Sequence, residues 1–362
     1  MSLFITPGLP RSDTPEWDTV VMRAHEMSEP KQLLWIDWAR NVRSRTLSRQ
    51  LGVMLEEICC DGGRLWRYVR NCGRTFLTIH EQRPKVLIAT NPSIVLGLLL
   101  LVLRKWYGFR LVSDAHYCGV RALNDIWLMQ RLLDFYNARA DLVIVTNGNH
   151  ARFVASLGAR AYVCQDPLPD ISRAQQSSVT PGDRSALLIC SFNSDEPYEA
   201  AFEAFSSLQR EGYVLYVSGN YKKARTDLSR FPGVRFLGFL PTDEYYAYLL
   251  SVSVVLDLTT LEDCLVCGAY EALAAEKPLV VSNTAALSEY FGDAVVLTKN
   301  TSDAIRESVL EAFTRRDELA QRARDWVTRN NQYMDERISG LRASLLARDG
   351  HNQLFAALSG RD

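Results

Sequence analysis

Two carboxylates carry the most specific chemistry in the sequence. Asp263 and Glu271 stand with seven residues between them. They lie in a stretch, residues 257–292, that reads as a strand end, a polar loop, a helix and a buried strand. Val252, Val254, Val255 and Leu256 form an apolar run of strand length. Thr259, Thr260, Glu262 and Asp263 make the loop, and residues 268–276 alternate small and apolar side chains at helical spacing. Lys277-Pro278 stops that helix ahead of Leu279-Val-Val-Ser. A helix entered from the carboxyl end of a strand turns its free N–H groups outward, where they suit a phosphate. An acid just before such a helix can accept sugar hydroxyls, and one on its second turn can hold a ribose diol. The acid spacing is weak by itself, and the strand–helix–Pro–strand context makes it fairly specific. The bland alternative is an ordinary βαβ unit with solvated acids.

This pattern resembles the donor-site signature of retaining GT-B glycosyltransferases, chiefly glycosyltransferase family 4. There an acid, seven residues and a Glu lead into a small-residue segment, Lys/Thr-Pro and Val-Val-x-Ser. Here the match is Asp263, then Glu271-Ala-Leu-Ala-Ala-Glu-Lys-Pro-Leu-Val-Val-Ser. The first acid of the family is usually Glu, so Asp263 is one methylene short. The resemblance implies an α/β chain of GT-B fold, two doubly wound Rossmann-like domains facing across a cleft. It implies a metal-independent enzyme of hexosyltransferase type. The donor would be a nucleotide-diphosphate sugar, UDP or GDP type, with no other cofactor. The acceptor would be a hydroxyl of a saccharide or lipid-linked molecule, in bacterial surface polysaccharide synthesis, with retention at the anomeric carbon.

The resemblance also assigns roles. Glu271 would hold the ribose, while Asp263 and the backbone of Leu265, Val266 and Cys267 would hold the sugar and diphosphate. His116, at the carboxyl end of a predicted strand over residues 109–116, would come over on domain closure; it joins Asp263 and Glu271 as the catalytic set. Val234-Arg-Phe-Leu-Gly-Phe-Leu-Pro resembles the family segment that contacts the nucleobase, which points to Phe239 and Leu240. Two departures stand out. The family's Gly-Arg and Lys-Gly cations are missing, and Lys222, Lys223 or Arg225 could replace them, with solvated loop charges an equal reading. No Gly-rich turn follows the first strand. Arg40, Arg43, Ser44 and Arg45 stand there instead, where they could bind an anionic acceptor.

The elements that must position these residues follow from length and pattern. A chain of 362 residues predicts two domains. Strand and helix signals alternate twice, around a Pro/Gln/Ser/Gly-rich linker, as parallel sheets require. The expected plan is a poorly ordered arm (1–30), an acceptor-side domain (31–170), a linker (171–184), a nucleotide-sugar domain (185–332) and a tail (333–362) crossing back.

Formal net charge is −1, yet residues 31–124 alone balance at +9. Arg64, Arg67, Arg70 and Arg74 fall at spacings of three, three and four, one face of a helix. Such asymmetry suits an anionic membrane surface better than nucleic acid, for which no accompanying motif is present. Residues 94–103 are wholly apolar apart from one Gly, but fall short of the ~20 residues a bilayer span needs. Eight scattered Cys and no secretory signal favour the cytoplasm, with the basic half peripheral on the inner membrane face. Cys264-x-x-Cys267 has no second pair for zinc and reads as small buried residues. Two rival functions keep the fold: a nucleotide-sugar 2-epimerase, and a non-catalytic partner subunit or sensor.

Overall fold

The computed structural model describes residues 33–122, 126–171 and 181–347. The expected arm (1–30), most of the linker and the last residues of the tail lie outside the described residues.

The first half is built on β1 (Leu33–Asp37), α1 (Val42–Leu51), β2 (Met54–Glu57), α2 (Arg64–Gln82), β3 (Val86–Asn91) and α3 (Ile94–Tyr107). It continues through β4 (Arg110–Ala115), α4 (Tyr117–Val120), α5 (Trp127–Asn137), β5 (Leu142–Val145), α6 (Gly148–Ser156) and β6 (Ala161–Val163). All six strands are parallel, in the order β2-β1-β3-β4-β5-β6. Buried on both faces, β1 and β3 are near-continuously apolar, as an internal parallel strand must be. Asn41 caps α1 by accepting from the Arg43 N–H, and Gly52 ends it in the left-handed conformation at φ 68°.

The second half repeats the plan. Its elements are β7 (Ser185–Leu188), α7 (Tyr198–Leu208), β8 (Val214–Ser218), β9 (Val234–Gly238), α8 (Thr242–Ser251) and β10 (Val254–Asp257), followed by α9 (Cys267–Ala274), β11 (Leu279–Ser282), α10 (Ala285–Phe291), β12 (Val296–Thr298) and α11 (Ser302–Thr314). The strand order is β12-β11-β10-β7-β8-β9, again all parallel. The chain thus has the GT-B arrangement of two Rossmann-like halves.

Three expectations change. The helix expected over 124–139 is α5, Trp127–Asn137, and a short helix not expected, α4, precedes it at Tyr117–Val120. The strand expected from Val252 begins at Val254, because Val252 caps α8 by donating its N–H to the Tyr248 carbonyl. The strand ends at Asp257, as the reading of residues 257–292 from a strand end anticipates. Finally, no break separates residues 332 and 333. One helix, α12 (Arg316–Leu346), runs through that position. Its Ala323 and Trp326 pack in the second half's core, and its Met334, Ile338, Leu341 and Leu345 pack in the first half's core.

Candidate active site

In the second sheet the strand order reverses between β7 and β10, so the crevice for a ligand opens beyond their carboxyl ends. Asp257 sits there, only 6 % exposed. Its carboxylate lies against the first turn of α9. A Cβ on Gly268 would fall 2.5 Å from Asp257 Oδ2, so only glycine fits. Burial, with Glu196 and Glu271 nearby, pushes the Asp257 pKa well up, although the N–H groups of Gly268 and Ala269 favour its ionised form. The loop after β7 behaves alike. Glu196 accepts from the Ser191 N–H at 3.0 Å and the Asn193 N–H at 2.7 Å. Two backbone positions suited to a diphosphate therefore each carry an internal carboxylate.

Glu271 lies one turn into α9 and accepts a hydrogen bond from the Tyr245 hydroxyl of α8. Burial raises its pKa, with the Tyr245 bond working the other way. Asp263 reaches across to the first half. Its Oδ1 accepts from Asn149 Nδ2 at 2.5 Å, and its carbonyl accepts from Asn147 Nδ2 at 2.7 Å. Asn147 is also the N-cap of α6, accepting from the His150 N–H at 2.9 Å. The signature loop is thus held by a helix start of the other half.

His116 follows β4 directly. Its Nε2 is 3.6 Å from Asp166 Oδ1 and has no hydrogen-bond partner among the described residues. Arg43 organises this side. It forks onto Asp114 with Nη2 at 2.9 Å, and donates from Nη1 to Asp166 at 2.7 Å and from Nη2 to the Cys164 carbonyl at 2.9 Å. Burial opposes ionisation of Asp166, but the charges of His116 and Arg43 prevail and hold its carboxyl below the ordinary range. His150 is fully buried, its ring 5.6 Å from that of Tyr117. Burial pushes its pKa down to about 4; the Asp263 charge opposes this, and the Arg121 and His116 charges reinforce it.

The other expected residues distribute unevenly. Arg43 and Ser44 are buried, at 4 % and 0 % exposure. Arg43 is consumed by its acids, and the Ser44 hydroxyl donates to the Asn41 carbonyl. Arg45 is exposed but forked onto Glu57 at 2.7 Å by two bonds. Arg40 is exposed. The open acceptor-binding cluster expected there is thus corrected: a buried guanidinium with matched acids is a structural ion-pair centre. Leu265 and Val266 turn their side chains into the core, leaving only backbone for a ligand, while Cys267 is exposed. Lys223 Nζ reaches the Ser191 carbonyl at 3.5 Å, over the loop that Glu196 ties down; Lys222 is exposed. Phe239 is 78 % exposed and Leu240 half-buried. Sequence reasoning missed Asp166, Asn147, Asn149, Tyr245 and Asp257. Asp257 closes the apolar run before the loop, and a lone acid at such a strand end was the one available signal.

A family model described as glycosyl transferase-like matches residues 199–341. The second half is thus similar to a glycosyl transferase-like domain. Its match spans α7 to α12 and includes Asp257, Asp263 and Glu271. No curated protein matches the sequence significantly. Among solved structures, sucrose-phosphate synthase from Thermosynechococcus elongatus is similar at TM-score 0.68 and 15 % identity, over 90 % of this chain and 100 % of that one. HepE of Anabaena in complex with UDP and glucose is similar at TM-score 0.68 and 16 % identity, over 86 % of this chain and 91 % of that one. A trehalose-6-phosphate protein of E. coli bound with UDP-2-fluoro glucose is similar at TM-score 0.62 and 12 % identity, over 79 % of each chain. These similarities extend beyond residues 199–341 to the first half, and the two halves together share the GT-B fold.

Proposed function

We propose that the chain is a retaining glycosyltransferase that moves a sugar from a nucleotide-diphosphate sugar to a hydroxyl of a saccharide or lipid-linked acceptor. One observation carries the reading: Asp263 and Glu271 bracket the start of α9, with the first-half residues Asn147 and Asn149 holding Asp263. A donor of UDP type is favoured, because HepE and the E. coli protein were solved with UDP or a UDP sugar. Glu271 holds the ribose, and Asp263 takes the sugar hydroxyls. His116 takes the reacting face, steadied by Asp166. The exposed Phe239 offers a surface to the base, and Lys222 or Lys223 stands for the missing phosphate cation. The expected setting is polysaccharide assembly on the inner face of the cytoplasmic membrane, with a hexose as the transferred sugar and no metal in the step.

Release of UDP from UDP-sugars tests the reading, measured with and without saccharide or lipid-linked acceptors. Turnover falling at least ~100-fold in Asp263→Ala, with the fold intact, is expected. Turnover unchanged in that variant contradicts the assignment. A second reading, a non-catalytic donor-binding partner, is favoured by Glu196 and Asp257 filling the two anion positions. It predicts donor binding with no turnover for any acceptor.

A further inference from the structure

The first half exposes far more large apolar side chains than the second, and most of them lie on three helices. α2 packs against α3 and α3 against α5, making one layer over one face of the sheet. On α2, Leu65, Trp66, Val69, Phe76 and Leu77 are all exposed, Leu65 at 79 %. At about 100° per residue they share an arc of roughly 120°. Arg70 and Arg74 border that arc and are also exposed. On α3, Val95, Val102 and Trp106 form a stripe, Trp106 at 72 %. On α5, Trp127, Leu128 and Phe135 do the same, Trp127 at 67 %.

Each helix could have hidden these groups against its sheet and instead presents a second apolar side outward. Isolated exposed apolar residues need no explanation, but a contiguous, aromatic-rich layer does.

We propose that this outer face of α2, α3 and α5 seats the protein on an anionic lipid bilayer. Charge complementarity selects the occupant. The three helices carry seven Lys/Arg against two acids, Glu81 and Asp134. The cations stand over the aromatics: Arg70 is 5.4 Å from the Trp66 ring, Arg131 is 5.8 Å from Trp127 and Arg139 is 3.6 Å from Phe135. Trp beside Arg suits the headgroup layer, where the ring enters the acyl boundary and the guanidinium stays with phosphate. A second copy would bring like charge against like charge. No helix among the described residues is long and apolar enough to cross a membrane, so the contact is lateral.

Placement relative to the site deepens the proposed function, on which this point rests. Leu65, Trp66 and Val95 lie at the starts of helices that follow the carboxyl end of a strand, and Trp127 starts α5, which follows β4 through the short helix α4. That is the side of the sheet where His116 stands. A bilayer on this face borders the cleft, where a lipid-linked acceptor would arrive.

The test is co-sedimentation with vesicles of phosphatidylcholine alone and with 30 mol % (about one lipid in three) phosphatidylglycerol, at low and high salt. The wild type should bind the anionic vesicles and release them in salt. Arg70→Glu with Arg74→Glu should weaken partitioning by about tenfold or more, and Trp66→Ser with Trp127→Ser should do the same on an intact fold. A UDP thermal shift on each variant keeps folding and donor binding separate from the surface. Vesicle binding without any UDP response supports the surface while removing the sugar-transfer reading. Wild-type protein that ignores anionic vesicles, or variants that bind as wild type does, overturn the proposal. So does a wild-type dimer that Trp66→Ser dissociates in the absence of lipid.

Discussion

Arg43 shows how a residue's surroundings can reverse its apparent role. Its place in a loop-to-helix turn suggested a ligand, yet its three closest acceptors come from residues 114, 164 and 166. Arg43→Ala leaves Asp114 and Asp166 buried without their counter-charge and should cost about 3–5 kcal/mol of unfolding free energy in urea. An acceptor ligand would instead leave stability unchanged and raise the acceptor KM. His150 makes a second prediction. Its pKa is lowered to about 4 by burial, so between pH 6.5 and 4 the unfolded chain takes a proton that the folded chain refuses. Stability should therefore fall as pH falls through that window, by about 3 kcal/mol from this group. The raised carboxyls Asp257, Glu196 and Glu271 act with the opposite sign. The difference between wild type and His150→Gln isolates the histidine, and parallel pH curves would contradict the assignment. At this scale the sequence revealed the loop position of Asp263, the helical position of Glu271 and the strand-end position of His116. It did not reveal partners such as Asp166 for Arg43, because a contact across 123 residues leaves no local pattern.

At the scale of elements, the periodicities were enough. Apart from β9, whose segment was read only as a base-contacting one, the strands of both sheets were anticipated within a few residues, since buried parallel strands read as short apolar runs between turn signals. The errors fell where side chains outside the run set the boundary. The Val252 cap set where β10 begins, and the one-turn helix α4 was too short to show a period. Close backbone approaches were also invisible. Gly219 ends β8 at φ 90°, and a Cβ there would lie 1.8 Å from the Cys190 carbonyl oxygen. Gly219→Ala should cost about 3 kcal/mol or more, from positive-φ strain and overpacking together, read as a lowered Tm. Gly268→Ala presses on Asp257 and on Ile189, whose Cδ1 would be 2.7 Å away. Its expected signature is weakened donor binding with a smaller loss of stability, because α9 must shift against the crevice.

The whole molecule is joined by α12 and by the Asp263 contacts. α12 completes the first half's core around Leu33, Trp35 and Leu47. Tyr162 donates to the Arg337 carbonyl at 2.7 Å, and Arg110 to the Ala347 carbonyl at 2.8 Å. Truncation after residue 332 should therefore unfold the first half and lower solubility, although every removed residue lies beyond the second sheet. A tail crossing back was legible from the fold resemblance, but a continuous helix was not, because its apolar positions serve two cores in succession. The missing phosphate cations were legible as an absence. That Glu196 and Asp257 take the backbone N–H groups after β7 and at the start of α9 needed coordinates.

The central claim is that the start of α9 is a nucleotide-sugar site. Calorimetric titration of UDP and GDP into wild type, Glu271→Ala and an exposed control, Glu199→Ala, tests it most directly. At 100 times its dissociation constant, a bound nucleotide should also add ~2.7 kcal/mol to stability. UDP binding in wild type and the control, lost in Glu271→Ala, is the expected result. UDP binding that survives Glu271→Ala, or no nucleotide binding to wild type, would contradict the account.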